Sequence, residues 1–138
     1  MILPDSSVWI DLLAGRDTPQ ANLLRRLLDD NFVIAVGDLI LTEVLQGTRS
    51  ERHYQETLAV LSAFEQVTLV NRDIAIDAAR NYQHLRSRGI TIRKTIDTLI
   101  ATRCILDAIP LLYSDRDYDP FVQHLGLRSA MDLDPGVS

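Results

Sequence analysis

One cysteine in 138 residues, Cys104, excludes an intrachain disulfide and a cysteine-rich zinc site. Its place in a helical apolar pattern assigns it to the core. The three histidines, His53, His84 and His124, lie apart, without the spacing of metal ligands. No apolar run approaches the roughly 18 residues that span a membrane. The N-terminus lacks the basic region that precedes the apolar stretch of a signal peptide, so none is expected. Lysine is nearly missing: Lys94 stands alone beside thirteen arginines. Together these absences fit a cytoplasmic protein.

Hydrophobic residues make up 46% of the chain, ordinary for a globular protein and against disorder. The length suits a single domain, residues 1–131, followed by a loose C-terminal tail, 132–138. The net charge of −5 argues at first against nucleic acid. Its distribution argues otherwise. No acidic residue lies between Asp77 and Asp97, yet Arg80, Arg86, Arg88, Arg93 and Lys94 do. Arginine suits bidentate contact with phosphate. A solvated helix face is the plainer reading of the same run, and the sequence alone leaves both open.

The pattern predicts alternating strands and helices. Met1–Leu3 form a short buried strand, which Pro4 ends by removing a donor. Ser6 or Ser7 caps a helix carrying Val8, Trp9, Ile10, Leu12 and Leu13. Thr18-Pro19 opens a second helix with a broad leucine face. Phe32–Val36 reads as a buried strand and Leu39–Gln46 as a helix closed by Gly47. Ser50 caps a helix with Tyr54, Leu58, Leu61 and Phe64 on one face. Val67–Val70 is a third strand. Asn71 or Asp73 opens a long helix ended by Gly89. Thr95 caps another, with Ile96, Leu99, Ile100 and Cys104 on its buried stripe. Pro110–Tyr113 is a fourth strand, and Leu125–Met131 adds an edge strand. The alternation implies a three-layer α/β sandwich with a mainly parallel sheet of four or five strands.

Carboxylates recur at the ends of these elements. Asp5 follows the first strand, and Asp115 and Asp117 follow the fourth. Glu43 and Asp97 sit on helices that can border the same edge, where open parallel sheets bind ligands. Each has a bland role available: a turn or cap for Asp5, a surface position for Glu43, the favourable end of a helix dipole for Asp97, and a polar loop for Asp115 and Asp117. As a group they need positive charge to offset their repulsion. Without Cys or His ligands the fitting partner is a hard cation, Mg2+ or Mn2+. Such a cation beside an arginine-rich rim suits phosphodiester hydrolysis.

Four segments also resemble a known family. MILPDSSVWID, LTEVLQG around Glu43, TIDTLIA around Asp97 and LLYSDRDYDPF resemble, in this order, the motifs of PIN domains and of the VapC-type ribonuclease toxins. The resemblance spans essentially the whole chain. It implies a Rossmann-like PIN fold, metal-dependent cleavage of RNA, a homodimer, and inhibition by a VapB-like antitoxin. The family's metal-binding acids fall on Asp5, Glu43, Asp97 and the SDRDYD segment, with Asp115 ahead of Asp117 as the fourth. Pro4, Ser6 and Ser114 depart from residues common in the family. Ser6 is placed to bond a carboxylate or the phosphate. Arg86, Arg88, Arg93 and Lys94 are candidates to grip RNA. The rival readings are a structure-specific DNA nuclease, an inactive binding module and a phosphoacceptor module of receiver type. The last needs a lysine after a late strand, and Lys94 precedes a helix instead.

Overall fold

The computed structural model describes residues 1–133. Its strands β1 (Leu3–Pro4), β2 (Ala35–Gly37), β3 (Glu65–Val67) and β4 (Leu111–Leu112) are short and parallel. β1 pairs with β4 and β2 with β3, and a bridge from Ile2 to Ile34 joins the two pairs. The order is therefore β3-β2-β1-β4, with Ser129 bridging Leu111 beyond β4.

Between the strands run α1 (Ser6–Leu13), α2 (Pro19–Asp29), α3 (Asp38–Gln46), α4 (Glu51–Ser62), α5 (Arg72–Ser87) and α6 (Thr95–Leu106). Helix α7 (Asp119–Leu125) follows β4 after a 3-10 turn, Arg116–Tyr118. The steps from β1 to β2 to β3 move one way across the sheet, and the step from β3 to β4 returns. Right-handed crossovers then put α1–α4 on one face and α5–α7 on the other. The packing agrees: α1 meets α2 and α3, α3 meets α4, and α5 meets α6 and α7. This is the expected α/β sandwich. Its strand order reverses between β1 and β4, the point at which open α/β sheets form a ligand crevice.

Pro4 shapes the head of that crevice. Leu3 and Asp5 donate their N–H groups to Pro110 and Leu112 of the β4 side, at 3.0 and 2.8 Å. Ile2 donates to Val33 on the other side. By alternation Pro4 would also donate toward β2, and it has no proton to give. Pairing therefore stops at Pro4 on the β2 side alone, and the β4 side continues through Asp5.

The core lies on both faces of the sheet, with Trp9, Leu24, Ile40, Leu61, Ile100, Leu111 and Phe121 fully buried. Each such side chain contributes about 1.5–3 kcal/mol by leaving water. Cys104 is in this core as expected, and burial pushes its thiol up to about 12. Among the described residues no helix is long and apolar enough to cross a membrane.

Several boundaries differ from the sequence expectation, each for a local reason. Phe32 and Val33 are 44% and 55% exposed, and β2 starts only at Ala35. The third strand is Glu65–Val67 rather than Val67–Val70. Leu69 leaves the ladder because Asp38 Oδ1 takes its N–H at 2.9 Å and its side chain fills the space over Gly37. Tyr113 is outside β4, its hydroxyl donating to Asp119 at 2.9 Å. Leu125 closes α7, Gly126 turns the chain at φ 80°, and only Ser129 of the expected edge strand is paired with the sheet. Asp5, not a serine, is the N-cap residue of α1. Lys94 occupies that place in α6 without a side-chain cap, and Thr95 is already helical. Ile96 is 40% exposed rather than buried, whereas Asp97, Thr98, Ala101 and Thr102 join Ile100 and Cys104 inside. Helix α6 is covered on most sides, so a single apolar stripe does not describe it. Thr18, Ser50 and Asn71 cap α2, α4 and α5 as predicted. Asp132 and Leu133 of the expected tail close a 3-10 turn from Ala130, and residues 134–138 lie outside the described residues.

Candidate active site

Asp5 emerges from β1 at the crevice and is 5% exposed. Its carbonyl starts α1 by accepting from Val8 and Trp9. Asp5 thus holds the cap position through its backbone, and its carboxylate makes no side-chain capping bond. Burial pushes the carboxyl up to about 6, helped by the charges of Glu43 and Asp97. The Ser6 backbone N–H and the Tyr118 hydroxyl oppose that rise.

Asp97 enters from the other face, in the first turn of α6, and is also 5% exposed. Burial raises its pKa, while Lys94 and the Tyr118 hydroxyl hold it down. Its Oδ2 is buried and has no hydrogen-bond partner among the described residues. A desolvated, unpartnered carboxylate oxygen is costly. A cation placed against it removes that cost.

Glu43 lies on α3, half-buried, with Oε1 buried and likewise unpartnered among the described residues. Its pKa is raised by burial and by Asp97, and lowered by a hydrogen bond with the Ser6 side chain and by Lys94. Ser6 therefore lies beside this carboxylate. The charge of Glu43 acts on Asp5, so α3 borders the same cleft.

Asp115 and Asp117 come from the segment after β4. Carboxylate oxygens of Asp97, Asp115 and Asp117 lie within 4.8 Å of one another. Asp115 Oδ1 accepts the Asp117 N–H at 2.9 Å, and its Oδ2 faces Lys94 Nζ at 3.4 Å. Both acids of the pair reach the cluster, so the choice between them does not arise from distance. Asp119 turns away to Tyr113. The donor set is carboxylate oxygen throughout, several of them buried, and it fits a hard divalent cation.

Sequence reasoning missed Tyr118. Its hydroxyl lies 3.3 Å from Asp5 Oδ1 and 3.2 Å from Asp97 Oδ1, between the two faces of the sheet. Burial and the two neighbouring acids keep the phenol protonated, far above the ordinary tyrosine range. Within SDRDYD the acids drew attention, and an aromatic residue there reads as core.

The basic residues separate into two groups. Lys94 stands at the acidic cluster, and Arg93 lines a cavity of about 300 Å3 with Arg116, Asp117 and Pro120. Arg116 was also missed, because it sits inside an acidic run. Arg86 lies over the Tyr82 ring at 5.7 Å, and Arg88 Nε donates to His84 at 3.3 Å. These two are on the last turns of α5 and its cap, away from the acids in sequence and engaged locally.

Comparisons with known proteins place the chain among similar ones. Over 134 residues the chain is 29% identical to the VapC ribonuclease Mb1587 of Mycobacterium bovis, covering 94% of this chain and 98% of that protein. Ribonuclease VapC11 of Mycobacterium tuberculosis matches to the same extent. Among solved structures, VapBC2 from Rickettsia felis bound to a promoter DNA fragment superposes with a TM-score of 0.71 at 21% identity. A toxin–antitoxin complex from Klebsiella pneumoniae gives 0.67 at 22%. Both alignments cover 94% of this chain and 97% of the other. The family model of the PIN domain matches residues 2–121, nearly the whole described chain, and with the acidic crevice at the β1/β4 reversal it establishes that this protein belongs to the PIN domain family.

Proposed function

We propose that the chain is a Mg2+-dependent endoribonuclease, with Mn2+ able to replace Mg2+, and the toxin of a type II toxin–antitoxin pair. The observation that carries this reading is the cleft in which Asp97 Oδ2 and Glu43 Oε1 are buried without hydrogen-bond partners among the described residues, with Asp115 and Asp117 close to Asp97 and with Asp5 under the charges of Glu43 and Asp97. Asp5, Asp97, Glu43 and Asp115 would hold the ion, with Asp117 beside them. A bound divalent ion supplies Lewis acidity for the scissile phosphate and lowers the pKa of water. Glu43, beside Ser6, orients the attacking water. Lys94, Arg93 and Arg116 meet phosphates on either side of the scissile one. Such contacts position a chain without reading its bases.

The relatives named as VapC ribonucleases and the toxin–antitoxin complexes among the structural neighbours support the same reading. A VapB-like antitoxin is then the partner in the cytoplasm. An apolar groove of about 200 Å3 between α1, α3 and α4, lined by Ile10, Leu13, Val44 and Thr57, supports an antitoxin segment there. The α2 face is taken up by the protein's own core through Ala21, Leu23 and Leu24. We read exposed Val60 on α4 as part of the surface of a homodimer.

The test incubates purified, antitoxin-free protein with total RNA and, separately, with single- and double-stranded DNA, with Mg2+ or with chelator, followed by end mapping. Discrete Mg2+-dependent ends in RNA alone are expected. Cleavage of DNA alone would replace the ribonuclease reading with the DNA nuclease.

A further inference from the structure

We propose that Tyr118 is a positioning residue for the metal cleft: its hydroxyl fixes the Oδ1 atoms of Asp5 and Asp97 so that their other oxygens face the ion. The proposal rests on the metal-dependent reading above and adds to it a residue that is not itself a ligand.

Three elements meet at this hydroxyl. Asp5 follows β1, Asp97 lies in the first turn of α6, and Tyr118 closes the 3-10 turn after β4. The Tyr118 ring is fully buried, with ring centres of Tyr113 and Phe121 at 5.3 and 6.4 Å. Packing on this scale removes the freedom of the ring, so the hydroxyl has one place to be. It lies 3.3 and 3.2 Å from the two acids. A phenol has one proton, and an unshared O–H···O bond is usually about 2.7–2.8 Å. The two longer, nearly equal distances are those of one donor divided between two acceptors.

The oxygen of Asp97 turned to Tyr118 is taken, and the opposite oxygen, Oδ2, is the one left buried without a partner among the described residues. The turn that carries Tyr118 also carries Asp115 and Asp117, and the Asp115 carboxylate caps it. Anchoring Tyr118 therefore sets the turn, and the turn sets the acids that approach Asp97 within 4.8 Å. Groups that orient ligands in this way alter metal affinity by roughly 10- to 100-fold when removed.

The experiment compares wild type with Tyr118→Phe, which keeps the ring and deletes the hydroxyl. Chelator-stripped protein is titrated with Mn2+ by calorimetry in the absence of RNA, and circular dichroism in chelator verifies the fold. The expected result is a folded variant whose Mn2+ affinity falls roughly 10- to 100-fold. RNA cleavage by that variant recovers as Mn2+ is raised, because the ligands themselves remain. Phe121→Leu serves as the packing control, and it should lower the melting temperature with a smaller effect on Mn2+. Equal Mn2+ affinity in wild type and Tyr118→Phe would overturn the positioning role and leave the metal reading intact. No Mn2+ binding by wild type would overturn both. If Tyr118→Phe does not fold, Tyr113→Phe decides the matter: a tyrosine ultraviolet difference signal that saturates with Mn2+ supports the proposal, and a flat spectrum overturns it.

Discussion

Asp38 Oδ1 accepts two backbone N–H groups at 2.9 Å, that of its neighbour Leu39 and that of Leu69, 31 residues further on. It is an acid at a strand end, as Asp5 is, yet it serves the fold. It pins the chain after β3 to the start of α3, while the Leu69 side chain covers Gly37. A Cβ at Gly37 would collide with Leu69 Cδ1. Asp38→Ala leaves the Leu69 N–H without its acceptor and should cost about 1–3 kcal/mol. Thermal unfolding measures the loss, and Mg2+-dependent cleavage below the melting temperature should be unchanged. An Asp38→Ala protein of full stability would contradict this role.

The cleft makes stability depend on pH in an unusual direction. In the folded protein the Asp5 carboxyl is raised from 3.8 to about 6, chiefly by burial. The folded state thus keeps its proton where the unfolded chain has lost it. The contribution of Asp5 to stability is full below about pH 4 and declines as pH rises through 6. The decline amounts to about 3 kcal/mol for a shift of this size. In chelator the melting temperature should therefore gain from Asp5 on going from pH 7 to pH 5. Asp5→Asn should flatten that part of the profile. A wild-type profile with the same slope as Asp5→Asn would show that burial does not hold the proton there.

The arginines are not equivalent. Arg93 and Arg116 share a cavity with Asp117, whereas Arg86 and Arg88 are engaged with Tyr82 and His84. Replacing Arg93 and Arg116 together by Gln should weaken RNA binding and reduce its salt dependence. The slope of log K against log salt falls by about 0.7 for each phosphate of a single strand that the protein no longer neutralises. Arg86→Gln with Arg88→Gln should move the slope less. The opposite ranking would place the RNA path along α5.

The sequence made Asp5, Asp97, Asp115 and Asp117 legible because each follows a strand or lies in the first turn of a helix, and it made Glu43 legible because four motifs occur in the order of a known family. It made the alternation of elements legible through apolar spacing. Strand boundaries were not legible, since they depend on which N–H groups find other acceptors, as Leu69 does with Asp38. The buried face of α6 was hidden because Asp97, Thr98 and Thr102 are polar, and polar residues inside need partners from elsewhere in the chain. Asn81 supplies one, donating to the Thr102 hydroxyl at 3.0 Å. Tyr118 was hidden for the same reason: its partners lie 113 and 21 residues away.

If these carboxylates hold a divalent ion and cleave RNA with it, loss of one charged ligand must abolish the reaction. Asp97→Asn is the sharpest variant for this, because it removes a charge and almost no volume from the position whose Oδ2 has no hydrogen-bond partner among the described residues. Wild type and variant are compared on total RNA with and without Mg2+, with melting curves to verify the fold. The expected outcome is Mg2+-dependent cleavage by wild type, none by a folded Asp97→Asn protein, and a melting temperature that Mg2+ raises in wild type only. A folded Asp97→Asn protein that still cleaves RNA when Mg2+ is present would refute the metal cleft as the seat of the reaction.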